Sequence, residues 1–139
     1  MATMFDDIGE VLLSEEQIAE IVKKMGKQIS KDYEGKKLFL VSVLKGAVVF
    51  MADLMRSITI PAKIDFMAVS SYGSDVKTSG VVKIVKDLDE PLEGKDVIVV
   101  EDIIDSGRTL YYLLGILKAR NPASLRLCTL LDKPDRRER

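Results

Sequence analysis

Val99-Val100-Glu101-Asp102-Ile103-Ile104-Asp105-Ser106-Gly107-Arg108-Thr109-Leu110 decides how this chain is read, because an apolar run gives way to acids and then to a short Ser/Gly/Thr stretch. From Asp96 to Val100 the residues are mostly β-branched and apolar, as in a strand buried on both faces, whereas Thr109 to Arg120 has helical length and an apolar stripe. The stretch between them therefore joins a strand to a helix. At a helix N-terminus the backbone N–H groups of Ser106, Gly107, Arg108 and Thr109 have no intrahelical partners, so they can point at a phosphate with the helix dipole behind them. Gly107 lets the backbone come close, and the Ser106 and Thr109 hydroxyls add donors. Glu101 and Asp102 would repel a phosphate unless they face a polyol or a metal ion, since carboxylates accept from neighbouring hydroxyls and hold Mg²⁺ directly or through water. A phosphorylated sugar satisfies both halves. The competing reading is a solvated acidic strand end beside an ordinary strand-to-helix turn.

Working outward, strands and helices alternate. Ser14-Glu15-Glu16-Gln17 has the form of a capping box, followed at helical spacing by Ile18, Ile21, Val22 and Met25, so a helix starts here and ends near Gly26 or continues to Tyr33. Leu38 to Leu44 is a short apolar run that predicts a strand, Gly46 to Ser57 has the length of a helix, and Ile64 to Ser70 again reads as a strand. From Ser71 to Gly80 the chain turns polar and glycine-rich, predicting a flexible loop, with Val81 to Val85 as the return strand of a hairpin. Pro91 and Gly94 mark a turn before the strand of the quoted stretch, expected at the centre of the sheet. Asn121-Pro122 then leads into a last strand, Ser124 to Leu131. This order predicts an α/β fold, a central mostly parallel sheet with helices on both faces and the ligand outside the carboxyl ends of the strands. Leu44-Lys45-Gly46, Ser71-Tyr72, the Glu101–Thr109 stretch and Lys133 all fall at such ends.

Composition sets limits around that site. The 139 residues fit a single domain over 1–139, with 47% apolar and 31% charged residues, and the net charge of −1 gives no general attraction to nucleic acid or an anionic membrane. Anion binding must be local. With no histidine and one cysteine, a zinc site or a Cys–His or Ser–His pair is excluded within this chain, and general-base work falls to carboxylates, lysine or tyrosine. Cys128 lies in the apolar run Leu125–Leu131 and is expected to be a small buried residue. The acidic start, Met1 to Asp7, is unlike a secretory signal, and no run approaches the roughly 18 apolar residues of a membrane helix, so the chain is expected in the cytoplasm.

The stretch Val100-Glu101-Asp102-Ile103-Ile104-Asp105-Ser106-Gly107-Arg108-Thr109 resembles the phosphoribosyl-pyrophosphate (PRPP) binding motif of the type I phosphoribosyltransferases, specifically their hypoxanthine-guanine branch. The resemblance implies an Mg²⁺-dependent enzyme of purine salvage that moves the 5-phosphoribosyl group of PRPP to hypoxanthine or guanine, giving IMP or GMP and pyrophosphate. It implies that Glu101 and Asp102 hold the ribose hydroxyls and the metal, that Asp105 is the general base near purine N7, and that Ser106, Gly107, Arg108 and Thr109 wrap the 5′-phosphate. Leu44-Lys45-Gly46 resembles the family's pyrophosphate loop, with a cis peptide between its first two residues. Ser71-Tyr72 resembles the start of the flexible catalytic loop that closes over the site. Lys133 resembles the lysine that contacts the purine 6-oxo group, and Arg137 an arginine at the same end. Family members commonly pair, which implies a homo-oligomer, dimer or tetramer.

The resemblance runs from about Val11 to Arg137 and matches the phosphoribosyl half better than the purine half. Family members continue beyond Arg139 into a base-binding segment, so this sequence reads as a shortened form with impaired purine transfer; a base site completed by another chain, or lost altogether, is the alternative. A PRPP- or nucleotide-binding regulatory protein on the same fold is a second functional class, which the near-neutral charge weighs against where RNA is the partner. A phosphoacceptor domain, suggested by Glu101-Asp102 with Lys133, would have no use for the Ser106–Thr109 phosphate loop.

Overall fold

In the computed structural model, which describes residues 13–71, 81–104 and 107–132, the first helix, α1 (Glu15–Asp32), begins at the capping box its sequence promises. The Ser14 hydroxyl accepts from the Gln17 N–H at 3.1 Å, and the Gln17 side chain accepts from the Ser14 N–H at 2.8 Å. The helix takes the longer of its two expected lengths, to a C-cap at Tyr33, and passes straight through Gly26. A Cβ on Gly26 would lie 2.4 Å from Ser57 Cβ and 2.7 Å from the Ser57 backbone, so the missing side chain is what lets α1 cross against the end of α2 (Val48–Ser57). Glycine there marks a helix crossing, not a helix end.

Strands β1 (Leu38–Val43), β2 (Ala62–Ser71), β3 (Val82–Lys86), β4 (Asp96–Ile104) and β5 (Ser124–Asp132) form one sheet in the order β3-β2-β1-β4-β5. β1 pairs in parallel with β2 and β4, β4 pairs in parallel with β5, and β3 returns antiparallel to β2. The sheet is thus mostly parallel, as expected, and the hairpin arm from β2 to β3 is present. Alternation along β1 divides the core. Leu38 and Leu40 face α1 and α2 together with Val22, Ile29, Met51 and Leu54. Phe39 and Val41 face the other side, where Leu113 and Leu117 of α3 (Arg108–Lys118) cover Val97 and Val99. Burying a side chain of this size contributes about 1.5–3 kcal/mol, which is why the two-faced apolar runs and not the polar ends fix the sheet.

Several boundaries differ from the sequence expectation. β4 does not stop at Val100 but continues through both acids to Ile104, because β5 pairs with it that far, Glu101 opposite Thr129 and Ile103 opposite Leu131. β4 also lies beside the central strand, which is β1. α2 starts at Val48, the residues from Leu44 to Ala47 forming a turn, and α3 starts at Arg108 and ends at Lys118. The predicted Asn121-Pro122 turn is present, with Asn121 at φ 56°.

The β3–β4 connection is pinned by charge. The Asp65 carboxylate accepts from the Asp89 and Phe66 N–H groups at 2.7 Å, and the Arg120 guanidinium grips both oxygens of Asp87 at 2.7 and 2.8 Å, tying this connection to the end of α3. Those bonds hold both carboxyls below the usual range, Asp87 chiefly through Arg120 and Asp65 through backbone N–H donors that outweigh its burial. Cys128 is half-buried among apolar neighbours, and burial pushes its thiol up to about 11, in keeping with a structural residue. Among the described residues no helix is long and apolar enough to cross a membrane.

Candidate functional site

In a parallel sheet the crevice for a ligand opens where the chain leaves one strand toward opposite neighbours. Here that point lies between β1 and β4, since the crossover from β1 leads to β2 on one side while β4 flanks it on the other. The carboxyl ends of these two strands carry the turn Leu44-Lys45-Gly46 and the acids Glu101 and Asp102. The fold therefore brings together segments separated by more than fifty positions in the sequence.

Successive residues of a strand point to opposite faces. Val99 belongs to the α3 side and Val100 to the α1/α2 side, so Glu101 and Asp102 diverge in the same way. Glu101 lines a cavity of about 250 Å³ together with Val43, Ile103, Gly107, Thr109 and Leu113. Asp102 approaches the other loop: a Cβ built on Gly46 would sit 4.0 Å from Asp102 Oδ1. One strand end thus presents an acid to each loop. Within the pair, the Asp102 N–H donates to Glu101 Oε1 at 3.3 Å and the Ile103 N–H to Asp102 Oδ1 at 2.8 Å.

Burial, and after it the neighbouring Asp102 carboxyl, pushes Glu101 up to about 7. A carboxyl so placed gains from anything that adds positive charge or hydroxyl donors beside it. A divalent cation and a diol both meet that condition. Among the described residues no third His, Cys, Asp or Glu joins the pair, so a Mg²⁺ held by Glu101 and Asp102 would complete its shell with water or ligand oxygens, the usual habit of that ion. The donor set fits the group.

The phosphate side of the crevice is built by backbone. Gly107 takes φ 83°, ψ −1°, the left-handed region, and serves as N-cap of α3 without any side-chain cap. The first intrahelical bond runs from the Tyr111 N–H to the Gly107 carbonyl at 2.8 Å, so the N–H groups of Thr109 and Leu110 ahead of it have no intrahelical acceptor. They lie beside the cavity that Glu101 also lines. On the other side the Leu44–Lys45 peptide is cis. The Lys45 and Gly46 N–H groups have no partner among the described residues, while the Leu44 N–H is tied to the Met67 carbonyl at 2.8 Å and the Lys45 carbonyl accepts from Val48 at 3.1 Å.

Of the residues singled out in the sequence, Leu44, Lys45, Gly46, Glu101, Asp102, Gly107, Arg108 and Thr109 converge on this crevice. Ser71 ends β2 opposite Val82, at the carboxyl edge of the same sheet. Tyr72, Asp105, Ser106, Lys133 and Arg137 lie outside the described residues. Sequence reasoning missed an apolar wall and a buried fastening. Val43, Ile104 and Leu113 give the cavity its apolar wall. Ser42, fully buried, donates to the Val100 carbonyl at 3.0 Å and fastens β1 to β4 one residue before the first acid. Its signal was a lone hydroxyl inside the apolar run Leu38–Leu44.

Comparison with known proteins agrees with this geometry. The family model described as phosphoribosyl transferase domain matches residues 10–139. The hypoxanthine-guanine phosphoribosyltransferase of Mycobacterium tuberculosis is 53% identical over 135 residues, covering 93% of this chain and 67% of that protein. Its namesake from Streptococcus thermophilus is 52% identical over 94% of this chain and 73% of its own length. Among solved structures, a Staphylococcus aureus hypoxanthine phosphoribosyltransferase superposes with a TM-score of 0.94 at 46% identity, covering 99% of this chain and 75% of its own. A Bacillus anthracis hypoxanthine-guanine phosphoribosyltransferase superposes with a TM-score of 0.91 at 50% identity, over 95% and 78% of the two chains.

Proposed function

The chain belongs to the phosphoribosyl transferase domain family, and from that premise we propose that it is a purine-salvage transferase that moves the 5-phosphoribosyl group of PRPP to hypoxanthine or guanine, giving IMP or GMP and pyrophosphate. The observation that carries the reading is the meeting, at one crevice, of the uncapped N-terminus of α3 behind a left-handed Gly107, the Glu101/Asp102 pair, and the turn Leu44-Lys45-Gly46. Each element answers one part of PRPP: its 5′-phosphate, its ribose diol and its pyrophosphate.

The Thr109 and Leu110 N–H groups, with Ser106, Gly107 and Arg108, hold the 5′-phosphate against the positive end of the α3 dipole. Glu101 and Asp102 accept from the ribose 2′- and 3′-hydroxyls. The N–H groups of Lys45 and Gly46, which have no partner among the described residues, face the pyrophosphate. As the bond from C1 to the pyrophosphate oxygen breaks, its electron pair leaves with the pyrophosphate and positive charge develops on the ribose, so donors on the leaving side and carboxylates near the ring act in the same direction. Purine N9 forms the new bond to C1. Asp105, placed by sequence between the end of β4 and the cap of α3, accepts the proton from N7. Mg²⁺, held at Glu101 and Asp102, supplies charge neutralisation for the leaving group when bound. Lys133 and Arg137 follow β5 and read the 6-oxo end of the base, and Ser71-Tyr72 opens the loop that covers the site and excludes water.

Val48, Val49 and Met55 leave an apolar strip of α2 exposed, which supports pairing of two copies as a dimer or tetramer. The enzyme works in the cytoplasm, where PRPP and free purines meet. The test of the activity is inosinate formation from hypoxanthine and PRPP, with and without Mg²⁺. Mg²⁺-dependent product establishes the reaction. Its absence from a folded chain that still binds PRPP shifts the reading to a PRPP-binding regulatory protein. The Asp105→Asn variant should keep PRPP binding and lose about 10²–10⁴ in turnover, as general bases do; unchanged turnover removes Asp105 from the mechanism.

A further inference from the structure

A groove of about 950 Å³ runs between α1 and the connection from α2 to β2, far from the crevice. Its α1 wall carries Lys23, Lys27 and Lys31, spaced every fourth residue and therefore on one stripe, each backbone position ~6 Å along the helix from the last. Arg56 faces them from the end of α2, and Glu34 is the one acid among the lining residues. All three lysines are exposed and none has an ionic or hydrogen-bonding partner among the described residues; Arg56 shares its charge with Asp53.

Like charges one turn apart weaken a helix, so such a row is a cost unless something offsets it. The helix dipole accounts for Lys31 in the last turn, but its effect is confined to that turn and leaves Lys23 and Lys27 unexplained. The floor is rigid. The buried Ser30 hydroxyl donates to the Gly26 carbonyl at 2.8 Å and accepts from the Thr59 N–H at 2.9 Å, clamping the connection onto α1 where Gly26 already meets Ser57. A groove with a line of cations unpaired among the described residues suits a linear anion, because a single phosphate reaches one lysine while consecutive phosphates reach several.

We propose that this groove is a second anion site, which takes a short chain of consecutive phosphates along Lys23, Lys27 and Lys31 with Arg56 opposite. It lies at the C-terminal end of α2, whereas the crevice lies at its N-terminal end, so about 15 Å of helix separates them. The ligand there is bound, not transformed.

The test is titration of the whole chain with inorganic tripolyphosphate in EDTA, followed by amide chemical shifts and calorimetry. The proposal expects shifts at the amides of Lys27 to Lys31 and Thr59, weaker binding as salt is raised, since exposed charges are screened, and weaker binding of pyrophosphate than of tripolyphosphate. Lys27→Glu/Lys31→Glu should lose at least tenfold in affinity, as should the milder Lys27→Gln/Lys31→Gln if the first pair disturbs the helix. Lys83→Glu/Lys118→Glu, which changes net charge equally on other elements, should bind as the parent does. Shifts confined to residues around Gly107, equal loss in the control pair, or binding of a single-stranded oligonucleotide that tripolyphosphate does not displace would each overturn the assignment.

Discussion

Replacing Gly107 by alanine tests the phosphate side of the crevice, and Gly35 provides its control. Both glycines sit in the left-handed region, at φ 83° and φ 78°. A Cβ there costs about 1–2 kcal/mol in either place, so each variant should lose that much stability in urea unfolding, with a thermal midpoint lowered by roughly 3–5 °C per kcal/mol at this chain length. The two differ in what surrounds them. A Cβ on Gly35 meets nothing within 4 Å, whereas Gly107 caps α3 beside Glu101 and Thr109. A backbone that relaxes away from φ 83° carries the following N–H groups with it, and a hydrogen bond to a charged group is worth about 1.5–3 kcal/mol. Gly107→Ala should therefore weaken Mg²⁺-PRPP binding by roughly 10–150-fold, read by calorimetry, and Gly35→Ala should leave it unchanged. Equal affinity loss in both variants, or wild-type affinity in Gly107→Ala, would refute the assignment of a phosphate to the start of α3.

Glu101 sets a pH dependence. Its folded value of about 7 stands above the ordinary 4.5, so the folded state holds the proton more tightly; that contribution to stability is fully present below pH 4.5 and is lost as pH rises to about 7. Thermal midpoints measured from pH 5 to 8 should therefore fall in the parent relative to Glu101→Gln, and parallel curves would contradict the burial argument. Ligand binding runs the other way: Mg²⁺-PRPP should bind more tightly as Glu101 ionises between pH 6 and 8, and Glu101→Gln should reduce that slope to the part that the ligand's own phosphate, titrating near pH 6, contributes. Gly26→Ala should destabilise by about 1–3 kcal/mol despite alanine's better helix propensity, because its Cβ would meet Ser57 at 2.4 Å; a neutral result in urea unfolding would mean that α1 and α2 cross less closely. Cys128, its thiol pushed up to about 11, should resist alkylation at pH 8 until the chain unfolds, and rapid labelling of the native protein would show the site to be open.

The strand-loop-helix around Gly107 was legible because its parts obey local rules: β-branched apolar residues before, an apolar stripe after, a glycine between. The capping box at Ser14 and Gln17 was equally readable. What local pattern could not supply was anything decided by a neighbour distant in sequence. β4 outlasts its apolar run because Thr129 and Leu131 pair with it, and Glu101 in isolation is a poor strand residue. α1 outlasts Gly26 because the reason for that glycine lies on α2. The place of β1 at the centre follows from crossovers, not from its own apolar run. At the site, residue types pointed to the meeting of the Leu44–Gly46 turn, the Glu101/Asp102 pair and the start of α3, but not to Glu101 and Asp102 facing different loops or to Ser42 fastening β1 to the residue before them.

That divergence makes the pairing of β4 with its neighbours a chemical component. Ser42 opposite Val100 and Thr129 opposite Glu101 set which acid reaches the α3 loop and which reaches Gly46. One residue inserted between Asp96 and Val100, with the start of the strand keeping its pairing, would send each acid to the opposite face: Glu101 would turn toward the Leu44–Gly46 turn and Asp102 toward the cavity at the start of α3. The same amino acids would then be present with their charges assigned to the wrong halves of the ligand. With the crevice assigned to PRPP as proposed, strand register determines how charge is distributed along the ligand, and chain length within 96–100 is as much a determinant of the chemistry as the identity of either acid.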